Sequence, residues 1–174
     1  MKASVFIGTS LDGFIARPDG TFGFLPDNPE PHGYDEFIAS VDTIVIGRKT
    51  FETVLGFGPE AWPYGDKRVV VLSRNPLDFS QVQGRVEQMG GSPATVVAQL
   101  EATGSQHLYV DGGITIQRFL RDGLIQRLII TRVPVLIGEG IPLFGTVPHD
   151  IKLRHVMTRD YPSGLVQTEY EVLT

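Results

Sequence analysis

Three stretches of this sequence place anion-binding residue types directly after apolar runs. In Ile46-Gly47-Arg48-Lys49-Thr50 a glycine follows a β-branched run, and two cations and a hydroxyl follow the glycine. Glycine lets a ligand approach the backbone, and a helix starting there points its free N–H groups at that ligand. Cations at a helix N-terminus oppose its dipole by about 0.3–1 kcal/mol each, so Arg48 and Lys49 sit best beside a bound anion. The alternative is a solvated helix start with two incidental basic residues. Val110-Asp111-Gly112-Gly113-Ile114-Thr115 repeats the pattern, although alone it also reads as a plain tight turn. Two such ends in one sheet suit the two phosphates of a pyrophosphate. The third stretch is Val71-Leu72-Ser73-Arg74. At such a position an acidic residue holds the ribose hydroxyl of NAD, whereas an Arg accommodates the extra phosphate of NADP. Ser73 and Arg74 are of the second kind, since guanidinium grips phosphate through parallel hydrogen bonds.

The elements that must position these residues are legible as alternating strands and helices. Lys2 to Ser10, Thr43 to Ile46, Arg68 to Leu72, His107 to Val110 and Leu128 to Val133 are short, apolar and β-rich, as expected of strands covered on both faces. Between them, Tyr34 to Val41 predicts a helix with Phe37, Ile38 and Val41 inward. Arg48 to Leu55 predicts one packing through Phe51, Val54 and Leu55. Ser92-Pro93 is an N-cap and first-turn pair opening a helix with an Ala94, Val97 and Leu100 face. A further helix begins after Gly113, stops at Gly123 and turns Ile116, Phe119 and Leu120 inward. Strand–helix–strand units of this length imply a mostly parallel sheet. Ile151 to Asp160 and Leu165 to Leu173 flank Tyr161-Pro162-Ser163-Gly164 and predict an antiparallel hairpin at the sheet edge. The Pro- and Gly-rich Thr21 to Gly33 segment reads as an ordered surface loop. A single α/β domain spanning residues 1–174 is expected.

Composition narrows the chemistry. The chain has 174 residues, 41% hydrophobic and 20% charged, enough to form a core without staples. It contains no cysteine, which excludes disulfides, thiolate metal sites and a cysteine nucleophile. A net charge of −5, with 15 scattered basic residues, argues against nucleic-acid binding. The apolar start is too short for a membrane span and poorly shaped for a signal peptide, so the cytoplasm is the expected location. No metal-binding or hydrolase motif is present. His32, His107, His149 and His155 lack ligand-like spacing and read as structural or surface residues.

Five segments together resemble the dihydrofolate reductase-like superfamily, in particular stand-alone relatives of the C-terminal reductase domain of the riboflavin-biosynthesis deaminase/reductase. They are Ser10-Leu11-Asp12-Gly13-Phe14-Ile15-Ala16, Gly47-Arg48-Lys49-Thr50-Phe51-Glu52, Val71-Leu72-Ser73-Arg74, Val110-Asp111-Gly112-Gly113 and Gly138-Glu139-Gly140-Ile141-Pro142-Leu143-Phe144. The resemblance implies a three-layer α/β/α fold, with a mostly parallel central sheet and an antiparallel C-terminal hairpin. It implies NADPH as cofactor. Gly8, Ile15 and Ala16 match the nicotinamide end; Gly47, Arg48, Lys49 and Thr50 match the phosphate contacts. Ser73 and Arg74 match the adenosine end, and Gly112, Gly113, Ile114 and Thr115 match a second phosphate loop that commonly carries a cis Gly-Gly bond.

The resemblance also implies hydride transfer to a pteridine- or pyrimidine-like heterocycle. Two positions depart from it. Pro31 stands where dihydrofolate reductases place an acid, and Phe6 stands where the riboflavin-pathway reductase has a Lys. Asp12, Asp35 and Glu139 are the candidate catalytic residues, and Tyr34, Trp62 and Glu139 the candidate acceptor contacts. Asp12 orients a loop, relays a proton or merely caps the Asp12-Gly13 turn. Trp62 stacks on a flat ring or forms a hydrophobic lid. The alternative functions are dihydrofolate reduction itself and an NADP-binding module without turnover. A homodimer is expected by family analogy and because two-fold dimers are the commonest assembly.

Overall fold

The computed structural model describes residues 1–27 and 29–174. The first strand, β1 (Lys2–Ser10), leads into the short β2 (Phe14–Ala16). After an irregular segment, in which Asn28 lies outside the described residues, the chain forms α1 (Tyr34–Ser40), β3 (Thr43–Gly47), α2 (Arg48–Leu55) and a 3-10 turn at Pro59–Ala61. Then come β4 (Arg68–Leu72), β5 (Arg85–Met89), α3 (Pro93–Ala102), β6 (His107–Asp111), α4 (Gly113–Arg121) and β7 (Arg127–Val133). The last elements are β8 (Ile141–Pro142), β9 (Leu153–Asp160) and β10 (Val166–Val172).

Eight strands form one sheet in the order β5-β4-β3-β6-β1-β7-β10-β9, while β2 and β8 pair separately. The sheet is parallel through β7 and antiparallel at β10 and β9. Strand parity sorts the apolar residues into two cores. Phe6, Ile44, Ile46, Val69, Val71 and Tyr109 face α1 and α2, and pack on Phe37, Val41, Phe51 and Val54. Val5, Val45, Val70, Leu108 and Val110 face the other way, against Val96 and Leu100 of α3 and Ile116 and Phe119 of α4. This is the expected three-layer arrangement.

Three local corrections apply. The face α3 buries is Pro93, Val96 and Leu100; Ala94 is exposed and Val97 only half-buried. The strand β5 is additional to the sequence reading; as a sheet edge it needs no continuous apolar run, and Arg85, Glu87 and Gln88 hide it. The β2–β8 ribbon is also additional, its strands being only two or three residues long. Among the described residues no helix is long and apolar enough to cross a membrane, and no group of three or more His, Asp or Glu could hold a metal ion.

Candidate cofactor and acceptor site

The sheet order sets the carboxyl ends of β4, β3, β6 and β1 side by side, which brings the three candidate anion-binding stretches together. Ile46 pairs with Asp111 and Gly47 with Leu72, so the starts of α2 and α4 are neighbours. Neither Gly47 nor Gly112, the residues capping those helices, supplies a side-chain cap; at α3, by contrast, Ser92 accepts from the Thr95 N–H. The first-turn N–H groups of α2 and α4 therefore lack the side-chain partners that helix starts usually recruit.

The two helix starts also interlock. A Cβ at Gly47 would lie 2.9 Å from Thr115 Oγ1, and one at Gly112 would lie 2.6 Å from Thr50 Oγ1. Each glycine thus makes room for the hydroxyl of the opposite helix. Gly112 turns the chain at φ 96°, and the Gly112–Gly113 bond is trans, so the cis bond implied by the family resemblance is absent here. A glycine-only φ makes the bend without it.

Gly113 is buried, and its role is packing. A Cβ there would meet Ile15 Cδ1 at 2.9 Å and Ile141 Cγ2 at 3.1 Å, both on the β2–β8 ribbon. Gly113→Val is therefore expected to destabilise the fold by about 1–3 kcal/mol through overpacking. The loss should show in thermal denaturation without any ligand; an unchanged melting temperature would remove this account. The same contact places Ile15 beside the β6–α4 turn, and the Ala16 backbone lies against Gly140 too closely to admit a Cβ there.

At the end of β4, Ser73 Oγ donates to Asn75 O (2.9 Å), and Gln88 Nε2 donates to Ser73 O (3.0 Å) and Asn75 O (2.7 Å). These bonds fix the turn that presents Arg74, which is exposed and joins no ion pair among the described residues. Arg48 Nε lies 3.8 Å from Glu52 one helical turn on, and both Arg48 and Lys49 reach solvent. Ile114 is exposed at the first turn of α4.

On the α1/α2 face, Leu25 lies over Gly8, 3.3 Å from where its Cβ would be. Tyr34 stands edge-on to Phe6 at 5.5 Å. Parity puts Asp111 on the same face as Tyr109, and sequence reasoning assigned this carboxylate no role. Asp111 accepts the Gly112 N–H at 2.9 Å. Burial pushes its pKa up to about 6, against the lowering effect of hydrogen bonds from Gly112 and Tyr109. Burial and then the Asp111 charge push the Tyr34 phenol to about 12 and hold Tyr64 well above its ordinary value. The signal for Asp111 was available: it is the last residue of a buried strand, two positions after an inward Tyr.

The other candidate acids stand elsewhere. Asp12 Oδ2 accepts from Gly138 N (2.8 Å) and Oδ1 from Ile137 N (3.3 Å), which clamps the Gly138-Glu139-Gly140 loop. The Ser10 hydroxyl, together with these N–H bonds, lowers the Asp12 pKa, which suits a fixed anion and not a proton donor. Asp12→Ala is expected to release the loop and lower kcat/KM roughly tenfold, with little change in melting temperature, because the site is exposed. Steady-state kinetics beside a thermal melt check this. Asp35 and Glu139 are exposed, on the first turn of α1 and on the clamped loop.

Trp62 is not part of the carboxyl edge. It packs edge-on against Tyr64 (5.1 Å) and lines a cleft with Val54, Leu55 and Gln83, while its indole nitrogen lies against Gly84, just before β5. That is the amino end of the sheet, because α2 carries the chain back there. At the same end His107 Nδ1 meets Ser40 O (2.9 Å) and Nε2 meets Ser4 Oγ (2.8 Å), and burial lowers its pKa. Ser4 is fully buried, so this pair is structural.

Solved structures share this architecture. A Corynebacterium diphtheriae pyrimidine reductase-like protein superposes with a TM-score of 0.74 at 20% identity, covering 99% of this chain and 92% of that one. A Thermotoga maritima diaminohydroxyphosphoribosylaminopyrimidine deaminase/5-amino-6-(5-phosphoribosylamino)uracil reductase gives 0.73 at 16%, covering 99% of this chain and 56% of that one. A Shewanella sp. PV-4 protein, provisionally named a riboflavin biosynthesis protein, gives 0.89 at 35% over the full length of both. The fold is therefore that of the RibD-like reductase domains.

The RibD C-terminal domain profile matches residues 2–167, and the chain belongs to that family. The uncharacterized protein YwjB of Bacillus subtilis is 32% identical over 172 residues, 97% of each chain. The riboflavin biosynthesis protein RibD of Corynebacterium ammoniagenes is 27% identical over 144 residues, covering 76% of this chain and 42% of that protein.

Proposed function

We propose that the protein is an NADPH-dependent reductase acting on a pteridine- or pyrimidine-like heterocycle, related to the reductase step of riboflavin biosynthesis. The observation that carries this reading is the crossed pair of helix starts, α2 and α4, both without side-chain caps and each making room for the other's threonine. Their N–H groups, with the Thr50 and Thr115 hydroxyls, would take the two phosphates of the dinucleotide. Arg48 and Lys49 would balance the phosphate charge, and Arg74, held out by the Ser73–Asn75 turn, would take the 2′-phosphate. When bound, NADPH supplies the hydride.

The chain's contribution to the acceptor is positional and protonic. Gly8, Leu25 and Tyr34 line the α1/α2 face beside Asp111. With a pKa of about 6, the Asp111 carboxyl can hold a proton near neutrality and give it to the acceptor as the hydride arrives. Asp12 keeps the Glu139 loop in place at the neighbouring rim.

The test is calorimetric titration with NADPH, followed by oxidation assays against a phosphoribosylaminopyrimidine and dihydrofolate. Binding with turnover of the pyrimidine is the expected result. Turnover of dihydrofolate alone would make the protein a dihydrofolate reductase, and binding without turnover would make it a nucleotide module. No binding would overturn the reading.

A further inference from the structure

Between β2 and α1 the chain crosses the α1/α2 face as a strap. Leu25 of the strap lies over Gly8, and its N–H donates to Phe22 O (3.0 Å). The Phe22 ring in turn stands edge-on to Phe57, 6.0 Å away and just past α2. One short turn thus reaches from the end of β1 to the end of α2, and its rim is the Phe22–Phe57 pair, 39 and 53% exposed. Beneath it, Phe6 is buried and stacked on Phe37 (5.0 Å), with Tyr34 edge-on, so the floor is apolar.

These walls carry acids and no Lys or Arg. From Pro18 to Ser40 the sequence has Asp19, Asp27, Glu30, Asp35 and Glu36 without one Lys or Arg; from Thr50 to Gly58 it has Glu52, again without either. The surrounding bases are engaged or distant. Arg17 lies over the Phe24 ring at 5.8 Å. His32 Nδ1 meets Glu30 O at 3.0 Å, and its ring packs between Phe6 and Tyr161. Arg127 pairs with Glu169 at 2.6 Å. Arg159 stands on β9, three strands from β1, which is roughly 14 Å at the usual strand spacing. Arg48 and Lys49 belong to the other end of α2, beside the dinucleotide's phosphates.

We propose that the acceptor carries no phosphate: the cleft under the strap selects a neutral or cationic planar heterocycle and turns away its phosphorylated counterpart. This rests on the reductase reading of the same site and narrows its substrate class. A phosphate is held by Arg, Lys or a nest of free N–H groups, and the acceptor walls offer no Lys or Arg. A cleft lined by one sign of charge concentrates its field, so the acids of the strap and α1 repel a phosphate there. Repulsion of the wrong ligand is as good a source of specificity as attraction of the right one. The exposed faces of Phe22 and Phe57 suit a flat or cationic substituent leaving the cleft between them.

Steady-state kinetics at saturating NADPH should compare a ribosylaminopyrimidine with its 5′-phosphate. The unphosphorylated compound should have a kcat/KM at least about tenfold higher, the difference lying in KM. Raising the salt should lower KM for the phosphate and leave that of its partner within about twofold. Phe57→Arg puts a cation on the exposed rim and should reverse the preference, with the melting temperature unchanged. Phe57→Gln, which removes the ring without adding charge, should not reverse it. A wild-type enzyme that prefers the phosphate would overturn the inference and leave the reductase reading standing. So would equal use of both compounds at low and high salt. If neither turns over, calorimetry of the two on the NADPH-loaded protein makes the same comparison, and heat from neither would overturn the inference and the reductase reading together.

Discussion

Replacing Arg74 by Ala is expected to weaken NADPH about 10- to 150-fold and to leave NADH within about twofold. A hydrogen bond to a charged group contributes about 1.5–3 kcal/mol, and only NADPH carries the 2′-phosphate that Arg74 would meet. The structure favours this selectivity because the turn is fixed independently of the guanidinium. Ser73 Oγ, Asn75 and Gln88 hold one another, so truncating Arg74 removes a contact without moving the loop. Arg74→Lys should recover part of the loss, since an ammonium keeps the charge but not the two-pronged geometry. The wild-type preference for NADPH should shrink as salt is raised, because the contact is exposed and screened. Calorimetry with both cofactors at two ionic strengths reads all of this. Equal losses for NADPH and NADH would take Arg74 out of the site.

How far the sequence led depended on what each residue packs against. Thr43–Gly47, Arg68–Leu72 and His107–Asp111 are covered on both faces, so their apolar runs announce strands directly. Arg85–Met89 borders solvent, and its Arg85, Glu87 and Gln88 conceal a strand whose partner on β4 contributes the Arg68–Glu87 ion pair at 2.6 Å. The Gly47 and Gly112 stretches were legible because each joins a strand end to a helix start, a local relation. Trp62 shows what local reading loses. It follows α2, which returns the chain to the amino end of the sheet, so topology and not residue type decides that it cannot reach Gly47 or Gly112. Gly113, read from the sequence as part of a phosphate loop, also has a packing reason that local reading could not supply: the space of a side chain there is filled by Ile15 and Ile141, residues far apart in sequence. Asp12 resolved among three readings only once Ile137 and Gly138 were seen to donate to it.

Asp111→Asn is expected to change stability and catalysis in opposite directions. The folded-state pKa of Asp111 is about 6, above its ordinary 3.8, so the folded chain holds this proton more tightly than the unfolded one. The stability this confers is present below about pH 4 and is lost as pH rises through 6. Two pK units correspond to about 3 kcal/mol, and the partial exposure of Asp111 lets water screen some of it, leaving about 2 kcal/mol. Asparagine can still accept the Gly112 N–H through its amide oxygen but carries no charge to desolvate. The variant should melt about 4–8 °C higher than wild type at pH 8, with the difference vanishing near pH 4. Its turnover should fall by about two orders of magnitude or more, because no proton can be given to the acceptor, while NADPH affinity stays within about twofold. In the wild type, kcat should decline as pH rises above 6, and this limb should be missing in the variant. A stabilised variant with full turnover would leave Asp111 a desolvated bystander. A destabilised one would mean that its charge is balanced by a partner on the same face, with Tyr34 and Tyr64 the first groups to test.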